Sequence, residues 1–454
     1  MPSSPTAVSA PGKVLLAGGY LVLDRQYTGL VFGLSARINV IAQEIRTSQG
    51  VQLSEIVVES PQFLEAQWRY GYHLAPGNGG IKVTQLHVGS SQINPNPFVE
   101  TTLAYALTYI IAAAHLKPSP AFAPVRLTVL ADNDYYSQPH SSSSSSSSST
   151  PSRQRFAKFP TRLKDAHKTG LGSSAALVTA LTAALLTHYL PASAGFDLTS
   201  PAGRRVLHDL AQAAHCAAQG KVGSGFDVAA AVYGGCVYRR FSPAVLAGLP
   251  EVGAPGFAPA LAGCVGSGDW DTEVAKDTAA SLPPGVALRM CDVDCGSQTV
   301  GMVKQVLKWR EADAEAARGL WDELQARNEA LGAVLGSGAG KEAEIAPAVA
   351  KVRELVRQMG GASGVPIEPE SQSALLDALR DNVEGVYEGV VPGAGGFDAL
   401  ALLVRDDEAT EARIKEFLEG WSREKGGSVR LLDVKGEMEG VRREGLEQYD
   451  GWLS

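Results

Sequence analysis

Four short segments set glycine beside charged or hydroxyl side chains in patterns suited to phosphate chemistry. Gly170-Leu-Gly-Ser-Ser-Ala-Ala176 runs directly into an Ala/Leu-rich stretch. Its glycines permit close backbone approach, and the helix that follows presents free N–H groups and a positive dipole end. Gly170, Leu171, Gly172, Ser173, Ser174 and Ala175 can therefore cradle a polyanion. The segment lacks the G-x4-G-K-[ST] pattern of the P-loop, so it is a different solution to the same electrostatic problem; a Gly-Ser helix cap without a ligand is the plainer alternative. Ser9-Ala-Pro-Gly-Lys-Val-Leu-Leu-Ala-Gly-Gly-Tyr20 puts Lys13 in an apolar strand beside a Pro-Gly turn. Its charge is either used there or serves only to protect a sheet edge from aggregation. Gly223-Ser-Gly-Phe-Asp-Val-Ala229 sets Asp227 between a glycine turn and an apolar helix, which suits a reactive carboxylate or an ordinary helix N-cap. Pro392-Gly-Ala-Gly-Gly-Phe-Asp398 precedes a strand and reads as a ligand-covering loop or a tight turn.

The elements that must hold these segments alternate between strand and helix without a regular repeat. Val8 to Leu23 and Thr28 to Ile45 read as strand-rich and are expected to pair, the second because Ala36, Ile38, Val40 and Ala42 alternate with Arg37, Asn39, Ile41 and Gln43. Helices are expected at Pro97 to His115, Ala175 to Leu190, Pro201 to Gln219, Thr299 to Leu335, Glu344 to Met359, Ser371 to Val383 and Ala409 to Lys425. Strands are expected at Val125 to Leu130, Cys236 to Phe241, Val286 to Val293, Ala399 to Val404 and Ser428 to Val434. This mixture indicates an α+β fold rather than a doubly wound sheet. With 454 residues, 45% of them hydrophobic, the chain exceeds the usual single domain. The expected division is an N-terminal lobe over 1–241, a Gly/Pro/Ala-rich loop or linker over 242–285 and a C-terminal lobe over 286–454. The unbroken serine run from Ser141 to Ser149 has nothing to bury and is expected to be a disordered surface loop within about 137–155.

A formal net charge of -8 argues against nucleic acid or a polybasic membrane contact. Cys216, Cys236, Cys264, Cys291 and Cys295 form neither a disulfide framework nor a zinc pattern, so a reducing, cytoplasmic location is expected. Ala175 to Leu190 is too short and too polar for a membrane span.

Taken together and in this order, the four segments resemble the motif set of the GHMP kinases, in the form carried by the phosphomevalonate kinases. Asp292 to Arg310 and Gly364-Val-Pro-Ile-Glu-Pro369 look similar too, so the resemblance spans nearly the whole chain outside the serine run. It implies a two-lobed GHMP kinase fold, with an N-terminal mixed sheet containing a left-handed βαβ crossover and a ferredoxin-like C-terminal lobe. It also implies ATP-dependent phosphorylation of phosphomevalonate, with ATP and Mg2+ as cofactors and small molecules as the only partners, in a monomer or homodimer. The alternatives are a GHMP kinase acting on mevalonate, homoserine or a sugar, or a ligand sensor that has lost catalysis. By position, the resemblance gives Gly170 to Ala175 the ATP phosphates, Ser174 the Mg2+, and Lys13 and Asp227 the catalytic roles. Asn96 and Phe98 fall near the nucleotide base. Tyr20, Gly393, Ala394 and Gly395 fall on the substrate side.

Mevalonate kinases carry a magnesium-binding glutamate eleven residues before the catalytic aspartate, where this chain has Cys216. A neutral thiol is a poor ligand for a hard cation, so magnesium is expected to rest on phosphates, Ser174 and water. A phosphate acceptor also demands extra positive charge, for which Lys168, Lys221, Arg239 and Arg240 are candidates. Adjacent strand residues face opposite ways, so Arg239 and Arg240 cannot both serve. Ser297 and Thr299 share a face if extended and suit the substrate carboxylate, or else they cap the next helix.

Overall fold

The computed structural model describes residues 4–46, 48, 54–87, 95–114, 122–137, 154–190, 196–276, 281–294 and 301–453. In chain order the N-terminal strands are β1 (Thr6–Ala17), β2 (Gly29–Glu44), β3 (Glu55–Glu59), β4 (Gln67–Leu74), β5 (Ile81–Gln85), β6 (Val125–Ala131), β7 (Cys236–Arg239) and β8 (Glu273–Ala275). The helices among them are α1 (Pro97–Ala113), α2 (Ser173–Tyr189), α3 (Pro201–Gln219), α4 (Phe226–Tyr233), α5 (Ala244–Ala247) and α6 (Phe257–Cys264). As the alternating pattern predicts, β1 and β2 pair antiparallel over nearly their whole length, with a register shift at Pro11/Gly12 that falls just before Lys13. A bulge of this kind kinks a strand and re-aims the next side chain. β2 continues antiparallel to β6, β6 runs parallel to β3, and β4 and β5 complete that side, which makes the sheet mixed.

α2 packs on β1 and β2 and against α1 and α3. Its side chains are mostly alanine, leucine and valine, with Thr179 and Thr182 buried among them, and from Ala175 to Leu186 only Leu177 escapes full burial. A helix buried on every side belongs in the centre of a core. Its axis, and hence its N-terminus, is fixed by contacts on every side.

The C-terminal half contributes β9 (Val286–Asp294), α7 (Met302–Ala312), α8 (Ala314–Leu335), α9 (Glu342–Ser363), α10 (Glu370–Asn382), β10 (Val386–Val390), β11 (Ala399–Arg405), α11 (Glu408–Lys425), β12 (Ser428–Glu437) and β13 (Arg442–Glu444). Its strands lie in the order β10-β11-β9-β12, every pair antiparallel. Read as strand, helices, two strands, helix, strand, this is a ferredoxin-like arrangement. The chain then returns. β12 pairs with β2 at Leu34 and Gly33, and β13 pairs with β1, so one continuous sheet joins both halves.

Two expectations change in detail. The single helical stretch over 299–335 breaks at Asp313, whose extended φ of -130° separates α7 from α8. The stretch 242–285 is more than loop, since α5, α6 and β8 lie within it, β8 pairing with β7. The serine run lies outside the described residues. Among the described residues no helix is long and apolar enough to cross a membrane.

Two buried arginines brace the fold, one between the halves and one within the C-terminal half. Arg37 of β2 donates to the Ser9 hydroxyl at 2.6 Å, to Glu437 at 2.9 Å and to the Gly440 carbonyl, fastening the returning chain to β1 and β2. Arg353 of α9 donates to Glu368 at 2.7 Å and to Glu388 of β10 at 3.0 Å, and all three side chains are at most 3% exposed. Removing one member of such a cluster strands buried charge. Arg353→Met is therefore expected to destabilise the protein by about 3–5 kcal/mol. Urea denaturation reads this as a lower midpoint, and an unchanged midpoint would show that Glu368 and Glu388 find other partners.

Candidate active site

Gly170 and Gly172 hold positive φ angles of +73° and +82°, a conformation that side-chain-bearing residues pay strain to adopt. The turn they make is docked on β1. The Lys13 backbone N–H donates to the Leu171 carbonyl at 2.9 Å. A Cβ on Gly12 would stand 2.8 Å from that same carbonyl, and one on Gly172 would stand 2.8 Å from Lys13 Cγ and 2.9 Å from Cε. The lysine stem thus runs against Gly172, and its Nζ reaches 3.5 Å from the Gly170 carbonyl and 5.6 Å from the Phe226 ring centre. Burial lowers the Lys13 pKa, and the Asp227 carboxylate opposes that shift.

Gly172 occupies the N-cap of α2 with no side-chain cap, and the first turn carries no acidic residue. The first-turn N–H groups, which have no acceptor within the helix, face outward beside Lys13. This geometry attracts an anion.

Asp227 enters from a second helix start. Gly225, at φ +84°, turns the chain into α4, where a Cβ would stand 2.6 Å from the Tyr238 hydroxyl and 2.8 Å from Phe241. Tyr238 in turn donates to the Ser224 carbonyl at 2.8 Å. The Asp227 carboxylate accepts the Val228 N–H at 3.0 Å and lies 3.8 Å from His215 Nδ1. Neighbouring Arg240 donates to the carbonyls of Gly223 at 2.8 Å and Leu23 at 2.7 Å, tying the Asp227 loop to the turn after β1. Arg239 points the other way, to Glu273 at 3.0 Å and the carbonyls of Arg25 and Gln26.

The Pro392 to Phe397 loop closes against the same strand. The Gly393 N–H donates to the Leu15 carbonyl at 3.1 Å, and the Tyr20 hydroxyl donates to the Ala394 carbonyl at 2.7 Å. At Gly19 a Cβ would meet the Gly393 oxygen at 2.3 Å. The Gly396 N–H reaches the Ile367 carbonyl at 2.9 Å, next to the buried Glu368 that Arg353 holds.

Lys13, Asp227, Gly170 to Ala175, Tyr20 and Gly393 to Gly395 therefore gather along β1. Lys168 and Lys221 flank this group as exposed side chains. Arg239 is not part of it, because the pleat turns it toward Glu273. Asn96 caps α1 by accepting the Val99 N–H at 3.4 Å, while Phe98 lies 5.7 Å from the His215 ring. Ser297 and Thr299 lie outside the described residues. Cys216 is buried, which raises its thiol pKa, and it accepts the Gln212 side-chain N–H at 3.2 Å. It is no ligand for a hard cation. Among the described residues no group of three His, Cys, Asp or Glu side chains forms a metal cage. The oxygens available, Ser174 Oγ and the Asp227 carboxylate, suit magnesium that arrives with phosphate ligands of its own.

The motifs alone do not reveal His215. It is 1% exposed, its Nε2 lies 3.2 Å from Ser174 Oγ, and Gln219 contacts its Nδ1 at 2.6 Å. The available signal is the four-residue spacing of His215 and Gln219, which puts both on one face of α3.

Comparison with known proteins agrees with this geometry. Residues 159–235 match the GHMP kinases N terminal domain. The phosphomevalonate kinase of Gibberella zeae is 65% identical over 98% of both chains, and that of Aspergillus fumigatus is 45% identical over 100% of this chain and 99% of its own. A phosphomevalonate kinase of Streptococcus pneumoniae, solved with phosphomevalonate and AMPPNP, superposes with a TM-score of 0.60 over 95% of this chain and 99% of that one. At 17% identity that likeness speaks for the fold alone. A kinship running the full length of the chain, joined to a glycine turn at the start of α2 with Lys13 and Asp227 beside it, means that this chain belongs to the phosphomevalonate kinase family of the GHMP kinases.

Proposed function

We propose that this chain transfers the γ-phosphoryl group of ATP to phosphomevalonate, forming diphosphomevalonate and ADP on the mevalonate route to isopentenyl diphosphate, isoprenoids and sterols. The observation that carries this reading is the uncapped N-terminus of α2 with Lys13 lying along it and Asp227 opposite. A reducing compartment such as the cytoplasm fits the free thiols of Cys216, Cys236, Cys264 and Cys291.

In this reading Gly170 to Ala175 hold the ATP phosphates through backbone N–H groups, and Ser174 offers its hydroxyl to Mg2+, which when bound neutralises phosphate charge. An oxygen of the acceptor phosphate attacks the γ-phosphorus as the bond to the β–γ bridging oxygen breaks, and ADP leaves. Such transfer needs positioning and charge neutralisation more than covalent help. A phosphate monoester has a second pKa of about 6, so near neutral pH it is already a nucleophilic dianion and needs no base. Asp227 then orients Lys13 and keeps it charged against its desolvation, while Lys13 screens the transferring group. Arg240, Lys168 and Lys221 supply positive charge on the acceptor side, and Tyr20 with Gly393 to Gly395 closes the cleft. Asn96 and Phe98 lie toward the nucleotide base.

Steady-state ADP release with phosphomevalonate, mevalonate, homoserine and a sugar as acceptors tests the reaction. Turnover is expected with phosphomevalonate, and turnover of mevalonate instead would overturn the assignment. Lys13→Met should lower kcat by about 100-fold or more, and Asp227→Asn by less. Because Asp227 raises the Lys13 pKa, the asparagine variant should also lose activity at a lower pH on the alkaline side of its pH–rate profile. A larger loss for Asp227→Asn than for Lys13→Met would instead identify proton removal as its task. Finally, Gly170→Ala and Gly172→Ala each place alanine at a left-handed backbone position, at a cost of about 1–2 kcal/mol. Only the second drives a methyl into the Lys13 stem. The Gly172 variant should therefore lose far more activity for a similar drop in Tm, and equal activity losses would remove Gly172 from the lysine-positioning role.

A further inference from the structure

We propose that His215 is a positioning residue that holds the Ser174 hydroxyl in the orientation needed to receive a hard divalent cation bound to a nucleoside polyphosphate. The proposal rests on the reading of Ser174 given above, but not on the identity of the acceptor.

His215 lies on α3 and is 1% exposed, with its ring 5.7 Å from that of Phe98. A buried imidazole needs partners for both nitrogens. Gln219, one turn later, supplies the first. Its amide nitrogen lies 2.6 Å from Nδ1, 3.4 Å from Nε2 and 3.3 Å from the His215 carbonyl, close to the ring and to the backbone of its own helix. An Nδ1 that accepts carries no proton. In this proposal the ring proton sits on Nε2, 3.2 Å from Ser174 Oγ, and Nε2–H donates to that oxygen.

This fixes the serine. One lone pair of Oγ receives the histidine N–H, leaving the second for a cation and the O–H for a phosphate oxygen. Without His215, a serine in the first helical turn is free to rotate toward backbone groups of its own helix. The Asp227 carboxylate lies 3.8 Å from Nδ1, beyond hydrogen-bond reach, so the same ring stands between the serine and the aspartate. Support of this kind behind a metal-binding group typically changes metal affinity by about 10–100-fold.

The test measures binding of AMPPNP to the full-length protein by calorimetry, with and without Mg2+. His215→Phe keeps the ring and loses the N–H, whereas His215→Gln restores an amide N–H of similar reach. Binding of Mg2+·AMPPNP should weaken about tenfold in the phenylalanine variant and return most of the way in the glutamine variant. Binding without Mg2+ should be unchanged. In a Ser174→Ala background, His215→Phe should add no further loss, because the two residues act as one unit. Unchanged Mg2+·AMPPNP affinity in His215→Phe, or an equal loss in both backgrounds, would overturn the proposal. Imidazole 15N spectra of the unmodified protein test it without a variant: an Nε2-protonated His215 is expected, and an Nδ1-protonated one refutes the assignment. Since no readout involves the acceptor, a failure here is distinct from a failure of the phosphomevalonate assignment.

Discussion

The site depends on how closely the Gly170 to Gly172 turn approaches β1. One backbone hydrogen bond, Lys13 N–H to the Leu171 carbonyl at 2.9 Å, holds the two together. The approach is possible only because Gly12 and Gly172 lack the Cβ atoms that would collide there. The contact sets two charges at once: it fixes the end of the α2 dipole, and it lays the Lys13 stem across that end. α2 is wrapped by β1, β2, α1 and α3, so its N-terminus cannot drift. A field that is already in place when the ligand arrives costs no reorganisation during reaction.

The opposite wall is positioned by long-range bonds. Gly393 and Ala394 touch β1 and Tyr20 directly, and Gly396 hangs on Ile367, one residue from the Glu368 carboxylate that Arg353 and Arg357 hold. The return of the chain to β1 is held in the same manner by Arg37, Glu437 and Glu444. Buried ion pairs of this type add little net stability over apolar substitutes. What they do here is geometric: Arg37 joins segments far apart in sequence, Arg353 ties α9 to β10, and each guanidinium admits few alternative arrangements.

What could be read from the sequence is what short-range rules encode. The alternation in Ala36 to Gln43 gave β2, and the glycines before an apolar run gave the α2 and α4 starts. The features that could not be read arise from distant partners. Nothing local says that Asp313 breaks a helix, or that Asn96 is occupied in capping α1. The pleat rule states that Arg239 and Arg240 diverge, but not which faces the Asp227 loop; Glu273 decides that by capturing Arg239. His215 and Gln219 show their spacing in the sequence, yet Ser174 is 41 residues away from His215, and only the packing of α3 against α2 brings them together.

The distribution of positive charge bears on how two polyanions can meet in this cleft. Arg240 is engaged with the carbonyls of Gly223 and Leu23, so much of its hydrogen-bonding capacity already shapes the Asp227 loop. Lys168 and Lys221 are exposed, and in water a lone surface charge is heavily screened. The positive elements built into the fold are therefore the α2 N-terminus and the half-buried Lys13, and both lie on the ATP side of the proposed transfer. An acceptor dianion bound where water is excluded would feel any nearby lysine more strongly than in the open, because a desolvated charge is less screened. On this physical picture, the contact of the Pro392 to Phe397 loop with Tyr20 matters to the electrostatics of the acceptor side as well as to its exposure to solvent.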